Sequence, residues 1–183
     1  MAKAKRYLQF LCSLEKMWDN KPLLDEWPDW AENAVNTGWF SIPRTAVDMV
    51  KLGITMDFSV GQPQYIQDVA DGKYIIITYK PPGSHIKTHA TLQIDPENPF
   101  HIMQNRGFRN HTNVDRSIQV WVNVLKEMGL HASTLIYDDY HSFIKTDNGY
   151  VGYIDIGRIA VLSKLIDLPI IDKTHAINLV NEI

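Results

Sequence analysis

Residues 73–105 read KYIIITYKPPGSHIKTHATLQIDPENPFHIMQN, and this stretch decides the fold class. Lys73 to Lys80 is rich in β-branched and aromatic side chains and stops at Pro81-Pro82-Gly83, the pattern of a strand closed by a turn. Thr88 to Asp95 alternates, with His89, Thr91, Gln93 and Asp95 on one face and Ala90, Leu92 and Ile94 on the other. Pro96 to Pro99 supplies a turn, and Phe100 to Asn105 reads as a third strand.

Upstream the apolar period changes from two to that of a helix. Residues 4–19 place Tyr7, Phe10, Leu11, Leu14, Met17 and Trp18 on one helical stripe. Lys21 to Pro28 reads as a loop, and a second helix starts near Asp29, its expected cap, and ends at Gly38. Thr45 caps a third helix carrying Ala46, Val47, Met49, Val50 and Leu52, with Gly53 as its expected end. Downstream, Asn113 to Met128 is the clearest helix, because Val114, Ile118, Trp121, Val122, Leu125 and Met128 share a face. Ser133 to Ile144 and Tyr150 to Ile156 read as a hairpin turning at Asp147-Asn148-Gly149. Ile159 to Ile166 and Lys173 to Ile183 read as helices. With no repeat and no linker, the expectation is one α+β domain: an N-terminal helix and loop (1–28), a core (29–107) and an extension (108–183).

The totals narrow the function classes. The chain has 183 residues, 45% hydrophobic and 21% charged, so it can bury a core. Its net charge is −3, and its one local basic cluster is Lys3, Lys5 and Arg6. A nucleic-acid binder needs a basic face to neutralise phosphates, so nucleic acid is not the expected partner. One cysteine, Cys12, excludes an internal disulfide and a cysteine-rich zinc site. Leu8, Phe10, Leu11 and Leu14 are interrupted by Gln9, Ser13 and Glu15, which makes neither a signal peptide nor a membrane span. The expectation is synthesis in the cytoplasm, with no membrane partner and no cofactor.

Residues 29–107 resemble the NlpC-type bacterial cell-wall cysteine hydrolases and the related CHAP amidases, which share a small papain-like fold. In that family a cysteine opens a helix, a Pro-Arg-Thr/Ser segment follows, a Gly-Asp pair enters a strand, and a histidine starts the next strand. A second polar residue, often histidine, lies on the strand after. Here Asp29-Trp30-Ala31-Glu32 opens the helix, Pro43-Arg44-Thr45 follows, and Asp71-Gly72 leads into Tyr74 to Ile77. His89 starts its strand and His101 follows twelve residues on. The resemblance implies N-terminal helices packed on an antiparallel sheet, with the extension outside the likeness. Trp30, not cysteine, stands at the nucleophile position. An indole cannot attack a carbonyl, so the resemblance implies a degenerate relative that binds a peptidoglycan fragment or a protein partner, in a phage or bacterial assembly. Phage origin would put it in the virion or the host cytoplasm.

Two catalytic alternatives stay open. In the first, an active amidase or endopeptidase uses Cys12 as nucleophile, His89 as base and His101 to orient it. In the second, His89-Ala90-Thr91 and His131-Ala132-Ser133 act as the facing motifs of a two-histidine phosphoesterase, one acid and one base. A metal site from His85, His89, His101, His111 and Asp95 is not expected: Pro81-Pro82-Gly83 argues against the helix that would put His85 and His89 on one face, and His89 and Asp95 lie three side chains apart on their strand. Candidate binding residues are Trp30, Asp71, Thr91, Gln104, Asn105 and Arg106. The arginines and amides of 105–110 suit a carboxylate or phosphate, and Trp27, Trp30 and Trp39 suit an aromatic contact surface.

Overall fold

The computed structural model describes residues 4, 8, 21–84, 88–110, 115–139, 141–154 and 156–172. Cys12, His85, His111, the expected helix over 4–19 (Ala4 and Leu8 apart) and the expected helix Lys173 to Ile183 lie outside the described residues.

Helix α1 (Asp29–Asn36) follows Pro28, which occupies the cap position without a side-chain bond. Asp29 is therefore the first helical residue and not the cap. Strand β1 (Phe40–Ser41) leads to α2 (Ala46–Met56), whose start is fixed as the sequence predicts. Thr45 Oγ1 accepts the Asp48 amide at 3.2 Å, while the Asp48 carboxylate accepts the Thr45 amide at 3.1 Å, a capping box. The helix runs through Gly53 to Met56. Gly53 serves close approach instead of termination: a Cβ there would lie 2.9 Å from the Gly61 nitrogen.

Helix α3 (Pro63–Ala70) was not expected from the sequence. Strands β2 (Ile75–Tyr79), β3 (Ala90–Asp95) and β4 (Asn98–Arg106) form the expected antiparallel succession. Helix α4 (Asp115–Glu127) then crosses to β5 (Leu135–Tyr137), which pairs parallel with β4. Strands β6 (His141–Thr146) and β7 (Gly149–Ile154) make a separate hairpin. Helix α5 (Ile156–Ile166) returns the chain to β8 (Ile170–Ile171), parallel to β5. The main sheet has six strands in the order β1-β2-β3-β4-β5-β8.

Two expectations need correction. The sheet is mixed, because β5 and β8 add parallel strands to an antiparallel set. The strand expected over Ser133 to Ile144 divides at Asp138-Asp139: its first part joins the main sheet and only its second part forms the hairpin. Two adjacent carboxylates follow the first part where the chain leaves β5.

The sheet buries both faces. Ile75, Ile77, Leu92, Ile94 and Ile102 pack with Ala31 and Ala34 of α1, with α4, and with Leu162 and Ile166 of α5. Tyr74 and Ile76 pack on the other side with Met49, Val50 and Met56 of α2 and Ile66 and Val69 of α3. Trp121 of α4 is fully buried, its indole N–H donating to the Pro99 carbonyl at 2.8 Å. Among the described residues, no helix is long and apolar enough to cross a membrane.

Candidate functional site

The polar groups of the interior gather along β4. The β3–β4 register shifts between Gln93 and Ile94, leaving Met103 as an extra residue. Leu92 therefore faces Asn105 and Ile94 faces Ile102, which turns both β4 side chains toward α4 although they are an odd number of residues apart. Asn105, fully buried, accepts the Ser117 hydroxyl of α4 at 3.0 Å through Oδ1, and its backbone N–H donates to Asp139 at 2.9 Å. The same Asp139 oxygen accepts the Arg106 guanidinium. Burial pushes the Asp139 carboxyl up from the usual carboxylate range, against the opposing pull of the Asn105 amide and Arg106. Tyr137, at the end of β5, is likewise pushed up by burial. Beside this cluster Arg158 of α5 holds both carboxylate oxygens of Asp115, at the start of α4.

His101 lies farther back on β4 and is 4% exposed. Its Nδ1 faces Asp95 Oδ2 at 3.1 Å, and its Nε2 faces Asp138 Oδ2 at 2.6 Å. A neutral imidazole has one N–H, so it can donate to only one of two ionised carboxylates. The group ties the end of β3, the middle of β4 and the exit of β5 together.

His89 stands one residue before β3. Its Nε2 shares a hydrogen bond with Ser84 Oγ at 2.9 Å, and its ring meets Tyr79 edge-on. The structure does not bring His89 and His101 together. Thr91 pairs with Arg106 and Ile94 with Ile102, so the two histidines occupy opposite ends of the β3–β4 pair. Six strand residues at roughly 3.3 Å each separate those ends by about 20 Å. His131 is exposed and precedes β5, at the end of the sheet where β4 begins, while His89 lies where β4 finishes. The facing arrangement of a two-histidine site is not formed.

Trp30 packs edge-to-face on Trp121 at 5.8 Å between ring centroids, and Phe40 meets Trp121 at 5.1 Å. The aromatic surface expected of Trp27, Trp30 and Trp39 is largely spent on the core, against which all three are partly buried. Trp27 also lies under the Arg44 guanidinium, which grips both oxygens of Glu32 at 2.7 Å. Asp71 is exposed at the end of α3, accepting from Gln67 at 2.8 Å. Gln104 is exposed, and Thr91 is buried with no hydrogen-bond partner for its hydroxyl among the described residues. Of the residues the sequence singles out, Asn105 comes together with Arg106 at Asp139, and His101 with Asp95. Asp138, Asp139, Ser117, Asp115 and Arg158 carry the rest of the polar interior and were not anticipated. The Asp138-Asp139 pair directly after an apolar strand was the available signal.

Among the described residues, no group of three or more histidine, cysteine or acidic side chains is placed to hold a metal ion. No family model, curated protein or solved structure matches this chain.

Proposed function

We propose that this chain is a non-catalytic relative of the NlpC- and CHAP-type cell-wall hydrolases. It acts by binding a peptidoglycan fragment or a protein partner, as a component of a phage or bacterial assembly. The environment of His101 carries the reading. Both its ring nitrogens face carboxylates at the end of the β3–β4 pair away from His89, so neither is available to orient His89 as a base. Trp30, at the position where the resemblance expects the thiol, is held against Trp121 instead. A groove of about 530 Å³ opens beside the start of α1, with Leu24, Asp25, Glu26, Trp27, Asp29 and Glu32 among its walls. Its carboxylates suit the amino groups of a cell-wall peptide, and Trp27 offers an apolar surface.

The test incubates purified peptidoglycan with the wild type and with Cys12→Ala, reading released fragments by mass and bound protein by co-sedimentation. The expected result is no fragments from either protein, and co-sedimentation that weakens in the double variant Asp25→Asn, Glu26→Gln. Fragments that disappear with Cys12→Ala would overturn the non-catalytic reading. Absence of co-sedimentation would remove peptidoglycan as ligand and leave the protein partner.

A further inference from the structure

We propose that a second groove, between α2 and strands β1 and β2, binds a small aliphatic zwitterion: an amino acid or a dipeptide. The groove measures about 530 Å³, within the range of small-molecule sites. Its residues are all different from those lining the groove at α1, so the inference stands whether or not the cell-wall reading does.

Ser41 and Thr78 line the groove from adjacent strands. Ser41 on β1 is the cross-strand partner of Thr78 on β2, which is the partner of Thr91 on β3. The Ser41 and Thr78 hydroxyls bond to one another, and Thr78 Oγ1 also donates to the Ser41 carbonyl at 3.3 Å. Either hydroxyl can donate in their shared bond, so at least one of the two hydrogens is used inside the wall. In either arrangement the pair keeps lone pairs that can accept from a ligand.

Asp48 adds a further acceptor. Its Oδ2 takes the Arg44 and Thr45 amides, and its Oδ1 takes no bond among the described residues. Three residues along the same helix face stands Lys51, exposed on the rim. Lys51 and Asp48 do not pair with each other, and Lys51 has no ion pair among the described residues. An ammonium fits the acceptors of Ser41, Thr78 and Asp48, and a carboxylate fits Lys51. Ile42, Leu52 and Ile54 line the same groove and offer apolar surface for an aliphatic side chain. A lone cation would meet Lys51 and a lone anion would meet Asp48; a zwitterion satisfies both.

Titration of the ¹⁵N-labelled full chain tests this with three probes: L-norleucine, n-pentylamine and hexanoate. Norleucine should shift the Ser41, Asp48, Lys51 and Thr78 amides saturably and at the lowest concentration. Asp48→Asn keeps an oxygen for the helix cap but removes the charge. It should weaken norleucine and pentylamine by about tenfold or more, the scale of a lost charged hydrogen bond, and should hold or tighten hexanoate by removing a like charge. Lys51→Gln, on an exposed helix surface, should weaken norleucine and hexanoate and hold or tighten pentylamine, and it keeps the test informative if Asp48→Asn disturbs folding. Absence of saturable shifts with norleucine, shifts at other residues, or responses indifferent to both substitutions would overturn the proposal. These outcomes read the α2 groove alone; the α1 groove is read by co-sedimentation.

Discussion

Asp139 is 8% exposed and holds two donors, the Asn105 amide and the Arg106 guanidinium, yet burial keeps its carboxyl above the ordinary carboxylate range. The sign of its effect on stability follows. Between the unfolded value, near 3.9, and the raised folded value, the native state binds more protons than the unfolded chain. Stability from this group therefore falls as pH rises through that window. Asp139→Asn removes the titration while keeping the shape, so its stability relative to wild type should improve as pH rises from the unfolded value toward the raised folded one. Urea unfolding at a series of pH values measures this. A relative stability that worsens with rising pH would mean that Arg106 outweighs burial. Such a residue is hard to read from sequence: Asp138 and Asp139 are adjacent and chemically alike, and only the parallel β4–β5 register sends one to His101 and the other to Arg106.

At the scale of elements, what was legible is what local chemistry decides. The β-rich run before Pro81, the alternation of Thr88 to Asp95 and the Thr45 cap all act within a few residues, and β2, β3 and the start of α2 lie where those signals put them. What was not legible depends on distant contact. Helix α3 carries a Pro at its first position and only Ile66 and Val69 as fully buried apolar residues, too sparse a stripe to stand out. Gly53 looked like a helix end because glycine commonly is one. Its reason is Gly61, eight residues on, whose own Cβ would lie 2.7 Å from the Val50 Cα and 3.0 Å from the Met49 carbonyl oxygen. Both obstacles are backbone and cannot rotate aside. Gly61→Ala should therefore cost about 1–3 kcal/mol, the range of overpacking, seen as a lower urea midpoint at unchanged slope. Gly38→Ala is the comparison: its position is strained by φ of +82° but has nothing within 4 Å of the added Cβ. Equal losses at the two sites would deny the close packing of α2 against the Ser59–Gly61 turn.

The division of the chain into a core over 29–107 and an extension is a statement about the whole molecule, and it has a physical consequence. A core that stands alone must bury its own apolar surface. Strands β2 to β4 turn Ile75, Ile77, Leu92, Ile94 and Ile102 toward a layer that α1 covers only in part, the rest coming from α4 and α5. Helix α4 alone contributes Ile118, Val120, Trp121, Val122, Val124 and Leu125, all buried. At roughly 1.5–3 kcal/mol for each buried large apolar side chain, its loss removes on the order of 10 kcal/mol, comparable with the whole stability of a typical domain. The far edge of β4 would lose β5 as well, exposing unpaired backbone groups next to an apolar face. A fragment of residues 21–110 should accordingly fail to fold: no cooperative urea transition, collapsed amide dispersion in its ¹⁵N spectrum, and aggregation on concentration. The full chain should show one transition by both tryptophan fluorescence and circular dichroism. If the fragment instead gives dispersed spectra and a sigmoidal transition, the 29–107 core is autonomous, and β5, α5 and β8 are additions to a finished fold and not the completion of its sheet.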